Sequence, residues 1–373
     1  MVGSEPAVAG SEATLPEQAP VRTALVGFGF GGSVFHAPFI EAEPRLDLVA
    51  IVTADPGRQA AARLRYPDAE VVATPGELLR RDDGADLVVI STPNRTHVPL
   101  AEEFLGAGRH LVVDKPVAPS ATDIRRLAAE ARRSGRLLVP FHNRRWDADF
   151  RTLQDLLGQG RLGRLHRLES RYERWQPTVD VTAGRAWKRD PTPGHGGGIL
   201  YDLGTHLIDQ ACLLLGRPQS VYAEVGSVRS GAGVDDDVFV GLTFAGGVRA
   251  HLWTSAVAAQ RGPRFRALGG EAAYVKFGMD PQESALVGGA RPGGPGWGEE
   301  PPAAWGAWHA GDSSEAVPSL PGDYGLFYRG LASALLDGAP PPVGPADALL
   351  VAEIIEAAQV SAGQGRVVTL TEA

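Results

Sequence analysis

The sequence predicts an α/β protein: a doubly wound parallel sheet, then an α+β domain built on a large open, mostly antiparallel sheet. Three observations predict it. Short apolar runs alternate with helix-length stretches over roughly the first 140 residues, a glycine-rich turn follows the first run, and later strands succeed one another without helices. The runs at 24–26, 48–52, 87–90, 111–113 and 137–139 are unbroken, as parallel strands buried on both faces require. One intervening helix is well signed: Ser120 with Asp123 makes a capping box, and Gly135 stands at a C-cap position.

Beyond residue 142 the rhythm changes. Polar and apolar positions mix over 165–172, which fits a sheet with one wet face, and further strands are expected over 221–228, 238–244, 248–254 and 265–277. The Gly/Pro/Trp-rich stretch 285–322 has weak periodicity and reads as a long surface excursion. Helices near 323–337 and 345–361 and a short strand at 367–370 close the chain, and no internal repeat is visible. The expected division is a disordered tail over 1–20, a first domain over 21–141 and a second over 142–373.

Bulk properties narrow the classes. A chain of 373 residues, 43% hydrophobic and 21% charged, suits two packed domains. Cys212 is the only cysteine, which excludes an intramolecular disulfide and a cysteine-rich zinc site and fits a reducing compartment. A net charge of −8 without a Lys/Arg run offers nothing to nucleic acid or an anionic membrane. Apolar runs are strand-length and residues 1–20 lack the basic and apolar segments of a signal peptide, so a cytoplasmic protein is expected.

Gly27-Phe28-Gly29-Phe30-Gly31-Gly32 follows the first strand and carries Gly-x-Gly-x-x-Gly. The first glycine permits the tight turn, the second lets a pyrophosphate approach the backbone, and the third lets helix and strand pack closely. The helix N-terminus then offers free N–H groups to phosphate. In the first βα turn this is the fingerprint of a Rossmann dinucleotide-binding domain. NAD enzymes usually carry an acidic residue at the end of the second strand, but Thr53 stands there and Arg58 is close enough to pair with a 2′-phosphate. NADP is therefore the expected cofactor; the alternative is NAD, with Asp55 gripping the ribose. Thr92, Pro93, Asn94 and His97 follow the third strand, where they would meet the nicotinamide ribose, although Asn94 or Thr96 also suits a helix cap. Asp114 and Lys115 end the fourth strand, with the lysine aimed into the cleft and Pro116 behind it.

A glycine run, Gly196-Gly197-Gly198, opens a helix on which Asp202 and His206 stand four apart on one face. Removing hydride from a secondary alcohol needs a base for the hydroxyl proton. His206 has a suitable unperturbed pKa, Asp202 would orient it, and Lys115 would stabilise alkoxide character on the oxygen. The competing readings are a helix-stabilising pair, or metal ligation by Asp202, His206 and His195. No further ligand-spaced cluster accompanies these residues, so no metal is expected.

These residues resemble the Gfo/Idh/MocA oxidoreductases, in the fingerprint at 27–32, in Asp114-Lys115-Pro116 where that family has Glu-Lys-Pro, and in the Asp202…His206 pair. The segments 34–39, 141–150, 199–204 and 278–283 resemble a subgroup of NADP-dependent scyllo-inositol 2-dehydrogenases, and the resemblance runs from about residue 22 to the end. It implies a Lys115–Asp202–His206 catalytic set and an open sheet that serves homo-oligomerisation as dimer or tetramer. It also places Asn143, Arg145 and Trp146 near the substrate or nicotinamide, and Trp187 and Lys188 over the cofactor. The implied reaction is hydride transfer at a secondary alcohol or ketone of a polyol or sugar, with inositols and keto-inositols leading. The alternatives are a biosynthetic keto-sugar reductase, a glycoside hydrolase that uses NAD transiently, and a non-catalytic dinucleotide sensor. Retention of Lys115, Asp202 and His206 argues against the sensor.

Overall fold

The computed structural model describes residues 19–81, 84–179, 187–192 and 194–371. Apart from Ala19 and Pro20, the expected tail lies outside the described residues. Six strands form the first sheet: β1 (Val21–Val26), β2 (Leu46–Val52), β3 (Glu70–Val72), β4 (Leu87–Ile90), β5 (His110–Val113) and β6 (Leu138–Pro140). All pair in parallel, in the order β3-β2-β1-β4-β5-β6. Alternate side chains feed two apolar layers: Leu25, Ile51, Val89 and Val112 face one, and Ala24, Val26, Val88, Ile90 and Val113 the other. Burial on both faces is why these runs carry no polar alternation, and each large aliphatic side chain contributes about 1.5–3 kcal/mol. The edge strand β3 is half-exposed, so it has no such run and the sequence does not betray it. Ser120 does cap its helix, Ala121–Arg133, accepting from the Asp123 amide at 3.1 Å, and Gly135 beyond the end has φ 65°.

The second sheet has nine strands: β7 (Leu165–Glu173), β8 (Ser220–Gly226), β9 (Asp237–Thr243), β10 (Arg249–Ser255), β11 (Phe265–Gly269), β12 (Ala273–Lys276), β13 (Gly306–Ala310), β14 (Ser313–Val317) and β15 (Val368–Thr369). Their order is β14-β13-β12-β11-β7-β10-β9-β8-β15, antiparallel except where β10 lies parallel to β7. Two expectations need correction. The single strand at 265–277 is a hairpin, turned at 270–272 and hidden by apolar residues on both sides. The excursion at 285–322 includes β13 and β14, which extend the sheet; their glycine, serine and exposed positions mask the strand period.

Two late helices pack across the division at 142. The helix Gly325–Leu336 sends Phe327, Tyr328 and Leu331 into the first domain's core beside Phe39 and Phe141. The helix Pro345–Gln364 serves both parts, with Ala348 and Ala352 on the first sheet's second layer and Val351, Ile354 and Ala358 in the core under the second sheet. Among the described residues no helix is long and apolar enough to cross a membrane.

Candidate active site

Gly27 turns the chain at the end of β1 with φ 103°, and a Cβ there would lie 2.1 Å from the Ser91 carbonyl oxygen. A Cβ at Gly32 would lie 1.9 Å from the Gly27 oxygen, so helix and turn approach closer than any side chain allows. The helix opens in a wide π-helical turn, Gly31–His36, before continuing as Ala37–Ala42. A cavity of about 700 Å³ starts at this turn, lined by Gly27, Phe28, Gly29 and Phe30. Thr53 and Arg58 line its flank. The Arg58 guanidinium stands over Gly29, 3.7 Å from where a Cβ would be, and has no hydrogen-bond or ion-pair partner among the described residues. Asp55 is committed elsewhere: it caps the helix Pro56–Arg65, accepting from the Arg58 amide at 2.8 Å.

Thr92, Pro93, Asn94 and His97, after β4, form the next part of the wall. Asn94 donates to the Gly196 carbonyl at 2.8 Å, tying this loop to the glycine run. The buried His97 ring faces the carbonyl oxygens of Thr92 and Pro116, each at 2.8 Å, and so braces the ends of β4 and β5. Asp114 accepts from Ser91 Oγ and from the Lys115 amide, both at 2.9 Å, and lies 3.5 Å from His36 Nε2. Burial opposes its charge, but His36, Lys115 and His97 hold the carboxyl well below the usual range.

The far end of the cavity brings together Lys115, Lys188, Asp202 and His206. Asp202 lies in a second π-helical turn, Leu200–Gly204, and His206 in the following helix, Thr205–Leu215. Lys115 Nζ donates to the Asp202 backbone oxygen and, at 3.0 Å, to Oδ1; Lys188 Nζ donates to both carboxylate oxygens at 2.8 Å. Burial disfavours the Asp202 carboxylate, yet the two ammonium groups outweigh it and keep the carboxyl well below its ordinary value. The expected Asp202–His206 hydrogen bond is absent among the described residues, because the two lysines occupy that carboxylate. Among the described residues His206 Nδ1 is buried without a hydrogen-bond partner. Burial, then Lys115, Arg144 and His142, push its pKa well below 6.5, so the imidazole is neutral.

Other expected residues divide. Asn143 and Trp187 line the cavity; Arg145 and Trp146 do not. The short 3₁₀ turn Asn143–Trp146 sends consecutive side chains to different sides. Arg145 makes a bidentate pair with Asp209, at 2.9 and 2.6 Å, and Trp146 packs edge-on against Phe327. The sequence reading missed Arg144, Tyr172, Arg174 and Glu283, which also line the cavity. Arg144 and Glu283 lie in the segments 141–150 and 278–283 that carried the resemblance, which was the available signal. His195 pairs with Asp190 at 2.7 Å away from this wall, and among the described residues no group of three His, Cys, Asp or Glu side chains is placed to hold a metal.

A glycine-rich turn, a helix start and a cleft at strand ends define a dinucleotide-dependent oxidoreductase. Residues 21–142 match the family described as "Oxidoreductase family, NAD-binding Rossmann fold", and residues 150–275 match the GFO/IDH/MocA C-terminal domain. The chain belongs to the Gfo/Idh/MocA oxidoreductase family. It is 37% identical to the uncharacterized oxidoreductase YdgJ of Escherichia coli strain K12, over 90% of this chain and 94% of that one. It is 32% identical to the scyllo-inositol 2-dehydrogenase (NADP(+)) IolW of Bacillus subtilis strain 168, over 94% and 96%. The solved structure of yvaA from Bacillus subtilis superposes with a TM-score of 0.89 at 32% identity, covering 96% of this chain and all (100%) of that one.

Proposed function

We propose that the protein is an NADP-preferring dehydrogenase or reductase of a polyol or sugar, with inositols and their keto forms as leading substrates. The observation that carries this reading is the meeting of Lys115, Asp202 and a neutral His206 at one end of a cavity whose other end is the glycine turn. The residues fit a dinucleotide: the turn at 27–32 bares backbone for a pyrophosphate, and the Arg58 guanidinium, unpaired among the described residues, suits a 2′-phosphate while Asp55 is spent on a helix cap. Similarity to an enzyme named as NADP-dependent supports the same preference.

When bound, the nicotinamide accepts or gives the hydride. In the oxidative direction His206 takes the hydroxyl proton on Nε2, since Nδ1 is buried. Lys115 places its ammonium against the reacting oxygen and lowers the cost of negative charge there. Asp202 positions that ammonium rather than the imidazole, and Lys188 shares the carboxylate and holds its own segment against the site. The sheet face that carries Tyr222, Phe239, His251 and Trp253 is the proposed contact between copies.

The test is absorbance at the reduced-nicotinamide band, with NADP and NAD in parallel, over inositols and aldoses. Reduction of NADP by scyllo-inositol, with little from NAD, is expected. No reduction of either by any polyol, and no NADPH oxidation by keto-sugars, would sink the enzymatic reading.

A further inference from the structure

The same cavity is also lined by Arg144, Tyr172, Arg174 and Glu283, none of which itself exchanges the proton or the hydride. Tyr172 stands near the end of β7 and is 5% exposed. Its phenolic oxygen accepts from Arg144 Nη2 at 3.0 Å and from Arg174 Nη2 at 2.9 Å, and both guanidiniums lie 4.9 Å from its ring centroid. A phenol offers two acceptor sites and one donor, and guanidinium can only donate. Both acceptor sites are taken, so the hydroxyl proton must point to a third group. Among the described residues the phenolic oxygen meets no acceptor: its hydrogen-bond partners are the two guanidiniums, and the carboxylates of Asp147 and Glu283 bond to Arg144 instead. A buried donor without an acceptor is costly, and the cavity is where an acceptor arrives.

We infer that Tyr172 is a substrate-binding residue that donates its phenolic proton in a hydrogen bond to a polyol oxygen away from the reacting carbon, with Arg144 and Arg174 fixing the direction of that proton. This rests on the polyol reading above and deepens it, because it names a contact that chooses which carbon faces His206. A substrate oxygen at that place must accept, so epimers that move the hydroxyl elsewhere lose the contact. Tyr172 therefore discriminates among stereoisomers.

Tyr172→Phe removes the O–H and keeps the ring beneath both guanidiniums. Its kcat/KM is compared with that of the parent protein over scyllo-inositol, its epimers and mono-deoxy analogues, beside NADPH affinity and Tm. A loss of roughly tenfold or more on the best polyol is expected, with NADPH affinity unchanged. The loss disappears for the one deoxy analogue that lacks the contacted hydroxyl. A uniform loss over all analogues, or a change under about twofold, overturns the inference and leaves the polyol reading standing. A parent protein that neither binds nor turns over any polyol overturns both. Should Tyr172→Phe fail to fold, Arg174→Gln frees one acceptor site on the phenol and is expected to relax epimer discrimination; unchanged discrimination overturns the inference.

Discussion

At His206 burial acts first, and Lys115, Arg144 and His142 add repulsion that outweighs the opposing pull of Asp202, so the net effect disfavours the imidazolium. The proposed base works only when neutral, and its folded pKa lies below the ordinary 6.5. Oxidative kcat/KM is therefore expected to stay level as pH falls through 6.5 and to decline only further down. A pH profile that already bends at 6.5 or above would assign the proton to another group. Arg58 is the second test at this scale. Arg58→Ala is expected to weaken NADP binding by about 10- to 100-fold and NAD binding little, by fluorescence titration of the reduced forms. Equal losses would make Arg58 an ordinary wall residue. Residue identity was legible where backbone geometry dictates it, as at Gly27 and Gly32. It was not legible at Arg144 and Arg145, neighbours of one residue type whose roles are separated by a single 3₁₀ turn. Nor could spacing reveal that Asp202 serves two lysines, since Lys188 lies in a different segment.

Among the elements, strands buried on both faces announced themselves, while β3, β13 and β14 did not. Those three are short and partly exposed, and β13 and β14 are also poor in large aliphatics, so packing and backbone pairing define them instead of pattern. The helix Gly325–Leu336 has a more consequential placement: it comes late in sequence yet completes the first domain's core through Phe327, Tyr328 and Leu331. Tyr328 also reaches His36 Nδ1 at 2.6 Å, linking that helix to the turn beside Asp114. Phe327→Ala is expected to cost about 3–5 kcal/mol in urea unfolding and to weaken NADPH binding with it. An unchanged midpoint and unchanged cofactor affinity would show that the first sheet stands without this helix.

For the whole molecule, the second sheet keeps one face on its core and leaves the other bare. On the bare face Phe239 touches Tyr222, His251 and Trp253, and the Arg171 guanidinium lies 4.0 Å over the Trp253 ring. A contiguous aromatic face of this kind is suited to burial against a second copy. Trp253→Glu is expected to convert a dimer or tetramer to monomer by sedimentation, with secondary structure retained; a monomeric parent protein would remove the sheet face as the contact.

The candidate active site is itself a whole-molecule construction, for Lys115 follows β5 of the first sheet and Asp202 and His206 come from the helical segment against the second. The most direct measurement is turnover of Lys115→Ala with the best polyol at saturating cofactor, beside its NADPH affinity. A fall of about 10²–10³-fold in kcat with cofactor binding retained is expected, since the ammonium acts on charge that develops during reaction. Undiminished turnover with normal binding would remove Lys115 from the chemistry, and the proposed mechanism with it.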